Sequence, residues 1–221
     1  MTERLPIFAL GTVLYPGLVL PLHVFEARYR AMVADRRTEG TFGVVAIKSG
    51  GEVADSAAEL YDVGCLATIR RLVAHDDGRF DLVTVGGRRF RIARLDREAE
   101  PYLTADVEWL DADETEEVSG DAAERLVPGI LDLFQRYLTL IRTDGVEVGE
   151  QMPDEPTVLS YAVAATMVLP IDERQALLAH GTTRERLAAE RRLLNRENAL
   201  LATVRALPLP VREFAVEPSA N

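Results

Sequence analysis

The periodicity of this chain changes once along its length. As far as Trp109, apolar residues alternate with polar ones or run in short stretches bounded by glycine and proline, and beyond Glu124 they recur every three to four positions. A chain that spends its strands first and its helices second does not build alternating βα layers, so the pattern predicts an α+β fold: a strand-built N-terminal part followed by a C-terminal helical bundle. Residues 111–124 separate the two with seven acids and no base. The expected boundaries are residues 1–112 for the first part, 113–207 for the bundle and 208–221 for a C-terminal tail. Within 221 residues both parts have the size of small subdomains.

Residues 5–10, 19–25 and 41–47 are apolar strand candidates, with Tyr15, Pro16 and Gly17 as a turn between the first two. One helix interrupts them, because Phe25, Tyr29, Met32 and Val33 fall on one face and Gly40 closes it. Residues 63–74, 79–85, 88–95 and 103–109 then read as a meander, with turns expected at Asp77 and Gly78, at Gly86 and Gly87, and at Pro101. Phe90 and Ile92 share one parity whereas Leu95 has the other, which predicts a bulge near Ala93. Many short strands at this spacing predict a small barrel or a sandwich.

In the second part, Leu126, Ile130, Leu133, Tyr137, Leu138 and Ile141 mark one helix face, with Pro128 and Gly129 kinking or restarting the helix. Asp154 before Pro156 reads as an N-cap; Asp172 with Gln175 and Thr182 with Glu185 read as capping boxes. The last helix carries Leu187, Leu194 and Leu201, and beside them Leu193, Leu200 and Leu207, as an apolar seam to be covered by the preceding helices.

The same residues exclude several chemistries. The only lysine is Lys48, so no phosphate-cradling loop ending in lysine is present, and no serine stands in a nucleophile elbow. Lys48 and Ser49 are strand neighbours pointing to opposite faces, which forbids a serine and lysine dyad. Cys65 with His23, His75 and His180 gives no metal-ligand spacing, and Cys65 reads as a buried inert thiol. No cofactor or metal is expected, and no catalytic residue. No apolar run reaches the length of a membrane span, and the first residues lack the pattern of an export signal, so a cytoplasmic, membrane-free location is the expectation.

Charge sharpens the division. The formal net charge of -11 splits into 14 bases against 16 acids in residues 1–110 and 11 against 20 in the remainder. Within residues 70–97, Arg88, Arg89, Arg91 and Arg94 crowd one hairpin and offer a candidate RNA-binding surface, although an acidic total sets an adverse long-range field. The competing reading is a solvated sheet face whose arginines pair with neighbouring carboxylates.

The segment LPIFALGTVLYPGLVLPLHVFEARYR, residues 5–30, closely resembles the start of the Lon protease N-terminal domain, the substrate-recognition module of that ATP-dependent protease, which also occurs in stand-alone bacterial proteins. Gly87, Arg89, Phe90 and Ile92 fit the family's glycine, arginine and phenylalanine strand motif, Tyr102 follows at its usual place, and residues 160–178 resemble the helical half. The resemblance covers residues 5 to about 207 and implies a PUA-like β-barrel followed by a helical bundle. It implies a non-enzymatic polypeptide-recognition role in protein quality control, because the ATPase and peptidase modules of Lon have no counterpart in these 221 residues. The implied partners are unfolded or tagged polypeptides, with a separate protease or ATPase; RNA binding through the arginine hairpin is the alternative.

Tyr15, Leu18, Leu20, Leu22, His23, Phe25 and Tyr29 are the candidate polypeptide-binding residues. Their density of large apolar groups exceeds what one short strand face can bury, so they either line an exposed groove or close one end of the barrel. Glu26 is expected to act structurally as an anion at a helix N-terminus, paired with Arg28, Arg89 or both.

Overall fold

The computed structural model describes residues 2–35, 40–48, 59–110, 120–141, 152–153 and 155–206. The expected N-cap Asp154, the end of the seam at Leu207, and the tail at residues 208–221 lie outside the described residues.

Six strands form one mixed sheet: β1 (Glu3–Leu10), β2 (Val19–Val24), β3 (Thr41–Ala46), β4 (Val63–Ala74), β5 (Phe80–Asp96) and β6 (Thr104–Trp109). Their order is β2-β5-β4-β3-β1-β6, and β6 pairs back onto β5. The circuit β5-β4-β3-β1-β6 therefore closes into a five-stranded barrel, with β2 appended to β5. Closure depends on the length of β5. Its first half, Phe80 to Val85, pairs with β2, and its second half, Phe90 to Asp96, pairs with β6.

That length corrects the expected turn at Gly86 and Gly87, since both lie inside one 17-residue strand. Gly86 is required there by close approach: a Cβ at that position would meet the Tyr15 carbonyl oxygen at 2.1 Å. The meander itself is present, as β4, β5 and β6 pair consecutively and antiparallel with the two expected middle strands fused into β5, whereas β1 pairs with β3 in parallel. The expected bulge is present, with a register shift between Ile92 and Arg94.

β1 and β3 are covered on both faces, which is why their sequences are nearly continuous apolar runs. One face carries Phe8, Phe42 and Val44 and is packed by α1 (Ala27–Asp35) through Tyr29, Met32 and Val33. The other carries Leu5, Ile7 and Val45, which meet Phe90 and Val107.

The helical part consists of α2 (Gly120–Glu124), α3 (Val127–Ile141), α4 (Pro156–Thr166), α5 (Ile171–Ala179) and α6 (Thr183–Ala206). The chain breaks before α3 and restarts with Pro128 in its first turn, where the missing amide costs nothing. Glu155 caps α4 by accepting from the amides of Thr157 and Val158. The box at Thr182 and Glu185 forms, each side chain accepting from the other's backbone amide. The one expected at Asp172 does not, because α5 starts at Ile171 behind Pro170 and has no side-chain cap. Along α6, Leu187 and Leu194 are fully buried against α3 and α4. In the neighbouring row Leu193 is half-buried and Leu200 exposed, so the covered seam is narrower than the leucine spacing implies.

Candidate functional site

The opening segment divides between two surfaces. Tyr15 is 1% exposed and packs with Val13, Tyr161, Leu177 and Leu178 in a core lying between barrel and helices. Leu18 packs against the same core. Tyr29 is buried, stacked on Phe8 at 3.8 Å, with its hydroxyl 3.3 Å from the Ala9 carbonyl. As surface contacts Tyr15 and Tyr29 are therefore corrected: both fill the interior. Burial pushes both phenols upward. Leu20 and Leu22 are half-buried and face the core under α1.

Polar bonds tie the helices to the barrel at this seam, and three of them converge on α5. The Tyr15 hydroxyl donates to the Arg174 carbonyl at 2.8 Å, and Gln175 Nε2 donates to the Val63 carbonyl at 2.8 Å. Arg89 on β5, 5% exposed, donates to the carbonyls of Leu178 and His180 at 2.9 and 2.5 Å. Those carbonyls end α5, where a cation answers both the orphaned acceptors and the negative end of the helix dipole. Of the pairings expected for Glu26, the one with Arg28 forms at 2.9 Å, whereas Arg89 turns to α5. Deeper in the seam Arg186 lies over the Tyr161 ring at 3.9 Å and donates to the hydroxyls of Ser160 and Thr183. Glu190, one turn on, is fully buried, and desolvation raises its carboxyl well above the usual carboxylate range.

The second surface is the outside of β2. Alternation puts Leu20, Leu22 and Val24 inward and Val19, Pro21 and His23 outward. Val19 opposes Val85, Pro21 opposes Val83 and His23 opposes Asp81 on β5, and Val83 and Asp81 in turn oppose Arg71 and Val73 on β4. Directly opposed residues share a face, so these positions form one outer stripe across three strands. Val19 is 63% exposed and Phe25, just past β2, 62%, with Val73 also exposed. Among the described residues β2 pairs with β5 alone, which leaves its other edge open, and Pro21 sits where an edge strand tolerates proline.

A polar cluster borders this stripe. His23 Nδ1 donates to Asp81 Oδ1 at 2.6 Å and His75 Nε2 to Asp81 Oδ2 at 2.7 Å, which holds the Asp81 carboxyl below the usual range. Arg79 lies 3.4 Å from His23 Nε2 and is bonded to Asp77. No group of three metal-ligating side chains suited to an ion occurs among the described residues. Cys65 is buried, its thiol pushed up to about 12 by desolvation. Of the four hairpin arginines, Arg89 is buried against α5 and Arg88 lies over Trp109 at 4.9 Å, whereas Arg91 and Arg94 are exposed.

Of the nominated residues the structure places His23 and Phe25 on this outer face, beside Val19, Val73 and the valines of β5, which were not nominated. The parity of β2 relative to the buried Val24 was the available signal.

The model of the substrate-binding domain of the ATP-dependent protease La (Lon) matches residues 4–196. The chain belongs to this family. It is 33% identical to Lon protease 2 of Myxococcus xanthus over 206 residues, covering 90% of this chain and 24% of that protein. With the Lon protease of Anaeromyxobacter dehalogenans the identity is 32%, covering 89% and 24%. The chain thus spans about a quarter of the length of these relatives. Among solved structures, a Lon N-terminal domain protein from Xanthomonas campestris superposes with a TM-score of 0.61 at 25% identity, covering 87% of this chain and 98% of that one. The N-terminal domain of a Mycobacterium avium complex Lon protease shares the fold, with a TM-score of 0.57 at 18% identity, over 89% and 98%. The Lon-type fold accounts for the mixed sheet and the helical region after it. No helix among the described residues is long and apolar enough to cross a membrane.

Proposed function

We propose that this chain is a non-enzymatic polypeptide-recognition module of protein quality control, acting in the cytoplasm on unfolded or tagged polypeptides in concert with a separate protease or ATPase. Membership of a substrate-binding family supports the class of ligand. The observation that carries the reading to a place on the molecule is the exposure of Val19 on the open-edged strand β2 and of Phe25 just past its end. An extended segment adding beside β2 gains main-chain hydrogen bonds while its apolar side chains cover Val19 and Phe25. Such recognition is tolerant of sequence, as the capture of unfolded chains requires. His23 lies at the border of the stripe; Leu20, Leu22 and Tyr29 lie behind it in the core under α1.

The test is fluorescence anisotropy of a labelled, permanently unfolded polypeptide against the wild type and the Val19→Asp, Phe25→Asp double variant. Both residues are exposed, so the variant keeps its melting temperature, and its affinity falls at least about fivefold if these are the contact residues. Unchanged affinity removes β2 from the binding site. No observation on the arginine hairpin favours the RNA-binding alternative.

A further inference from the structure

Where the barrel meets α5, a groove of about 460 Å³ opens beside the polar seam. Tyr61, Asp62 and Arg91 line it from the barrel, and Asp172, Gln175 and Ala176 from the helix. Gln175 is 4% exposed and half satisfied: its Nε2 is committed to the Val63 carbonyl, which fixes the amide orientation, and its buried Oε1 has no donor. An orphaned buried acceptor is rare enough in folded proteins to call for a partner. Asp62 and Asp172 are exposed and form no ion pair among the described residues, nor does Arg91. Asp172 alone would be explained by its place in the first turn of α5. Asp62 lies on no helix, so the helix dipole does not account for the pair. The groove therefore offers three acceptors against one guanidinium, in a chain of net charge -11.

We propose that this groove takes a basic side chain of a bound polypeptide, its ammonium or guanidinium group held between Asp62 and Asp172 with Gln175 Oε1 as a third acceptor. The proposal rests on the polypeptide-recognition reading and adds a preference to it: bound segments carry a cation as well as apolar residues. The cation's stem lies along Tyr61 and Ala176, which cover its methylenes.

Two labelled unfolded peptides test this, identical except that one carries a lysine where the other carries norleucine. The wild type binds the lysine peptide about tenfold more tightly at low salt, the size expected of charge-assisted hydrogen bonds. In the Asp62→Asn, Asp172→Asn variant that preference disappears while the norleucine peptide binds as before. Neither carboxylate has a hydrogen bond to lose among the described residues, so the variant stays folded. An Asp76→Asn, Glu98→Gln variant has the same net charge with its groove intact, and it keeps the preference. Equal binding of both peptides by the wild type overturns the proposal and leaves polypeptide recognition standing. A preference lost equally in the control variant also overturns it, because long-range charge then explains the effect. Binding of neither peptide overturns both readings.

Discussion

Tyr15 and Phe25 are ten positions apart in one continuous motif, yet one is 1% exposed and the other 62%. Tyr15 belongs to the seam, where it is buried with Tyr161, Leu177 and Leu178 and polar bonds from Tyr15, Arg89 and Gln175 hold α5 against the barrel. Phe25 belongs to the outer stripe, where apolar side chains meet solvent and His23, His75 and Asp81 are bonded to one another. The contrast teaches that one apolar-rich segment can divide between interior and surface, with the seam holding the fold and the stripe free for the recognition proposed above. Substitutions in the seam should change melting and leave ligand contacts alone; substitutions in the stripe should do the reverse.

The largest expected effect is that of Arg89→Ala. Removing a buried cation from two helix-terminal carbonyls should cost about 3 kcal/mol in chemical denaturation. A loss within error of zero would mean that α5 is not held by this contact. Gly86→Ala comes next at about 2 kcal/mol, since the methyl must displace the Tyr15 backbone. Tyr15→Phe, which deletes only the hydroxyl bonded to Arg174, should cost about 1 kcal/mol.

Glu190 supplies a pH dependence. Its carboxyl is raised in the folded state by desolvation, so folding favours the protonated form. The contribution is fully present below the unfolded value near 4.5 and is lost as pH rises through the folded value. Melting temperature should therefore decline from pH 4.5 upward, and Glu190→Gln, which cannot ionise, should flatten that decline. Parallel profiles for wild type and variant would place the titration elsewhere.

Much of the fold was legible before the structure. Periodicity separated strands from helices, the parity change at Ala93 located the bulge, and Thr182 with Glu185 gave a true capping box. The failures share a cause, namely partners distant in sequence. Gly86 and Gly87 looked like a turn because nothing local reveals that the Tyr15 backbone passes over Gly86. Arg89 looked like a partner for Glu26 because α5, ninety residues on, was not in view. For the site, apolar density nominated residues 15–29, but density alone cannot say which way a side chain points. The buried Val24 fixes that parity, and it needs the core around it to be known.

The claim that β2 presents the recognition surface is tested most directly by amide NMR titration of the labelled protein with a permanently unfolded polypeptide, using a short RNA as control. The account predicts shifts at Val19, His23 and Phe25 with polypeptide alone, abolished there in the Phe25→Asp variant. Polypeptide-induced shifts that spare β2 and survive Phe25→Asp, or shifts confined to Arg88, Arg91 and Arg94 with RNA, would contradict it.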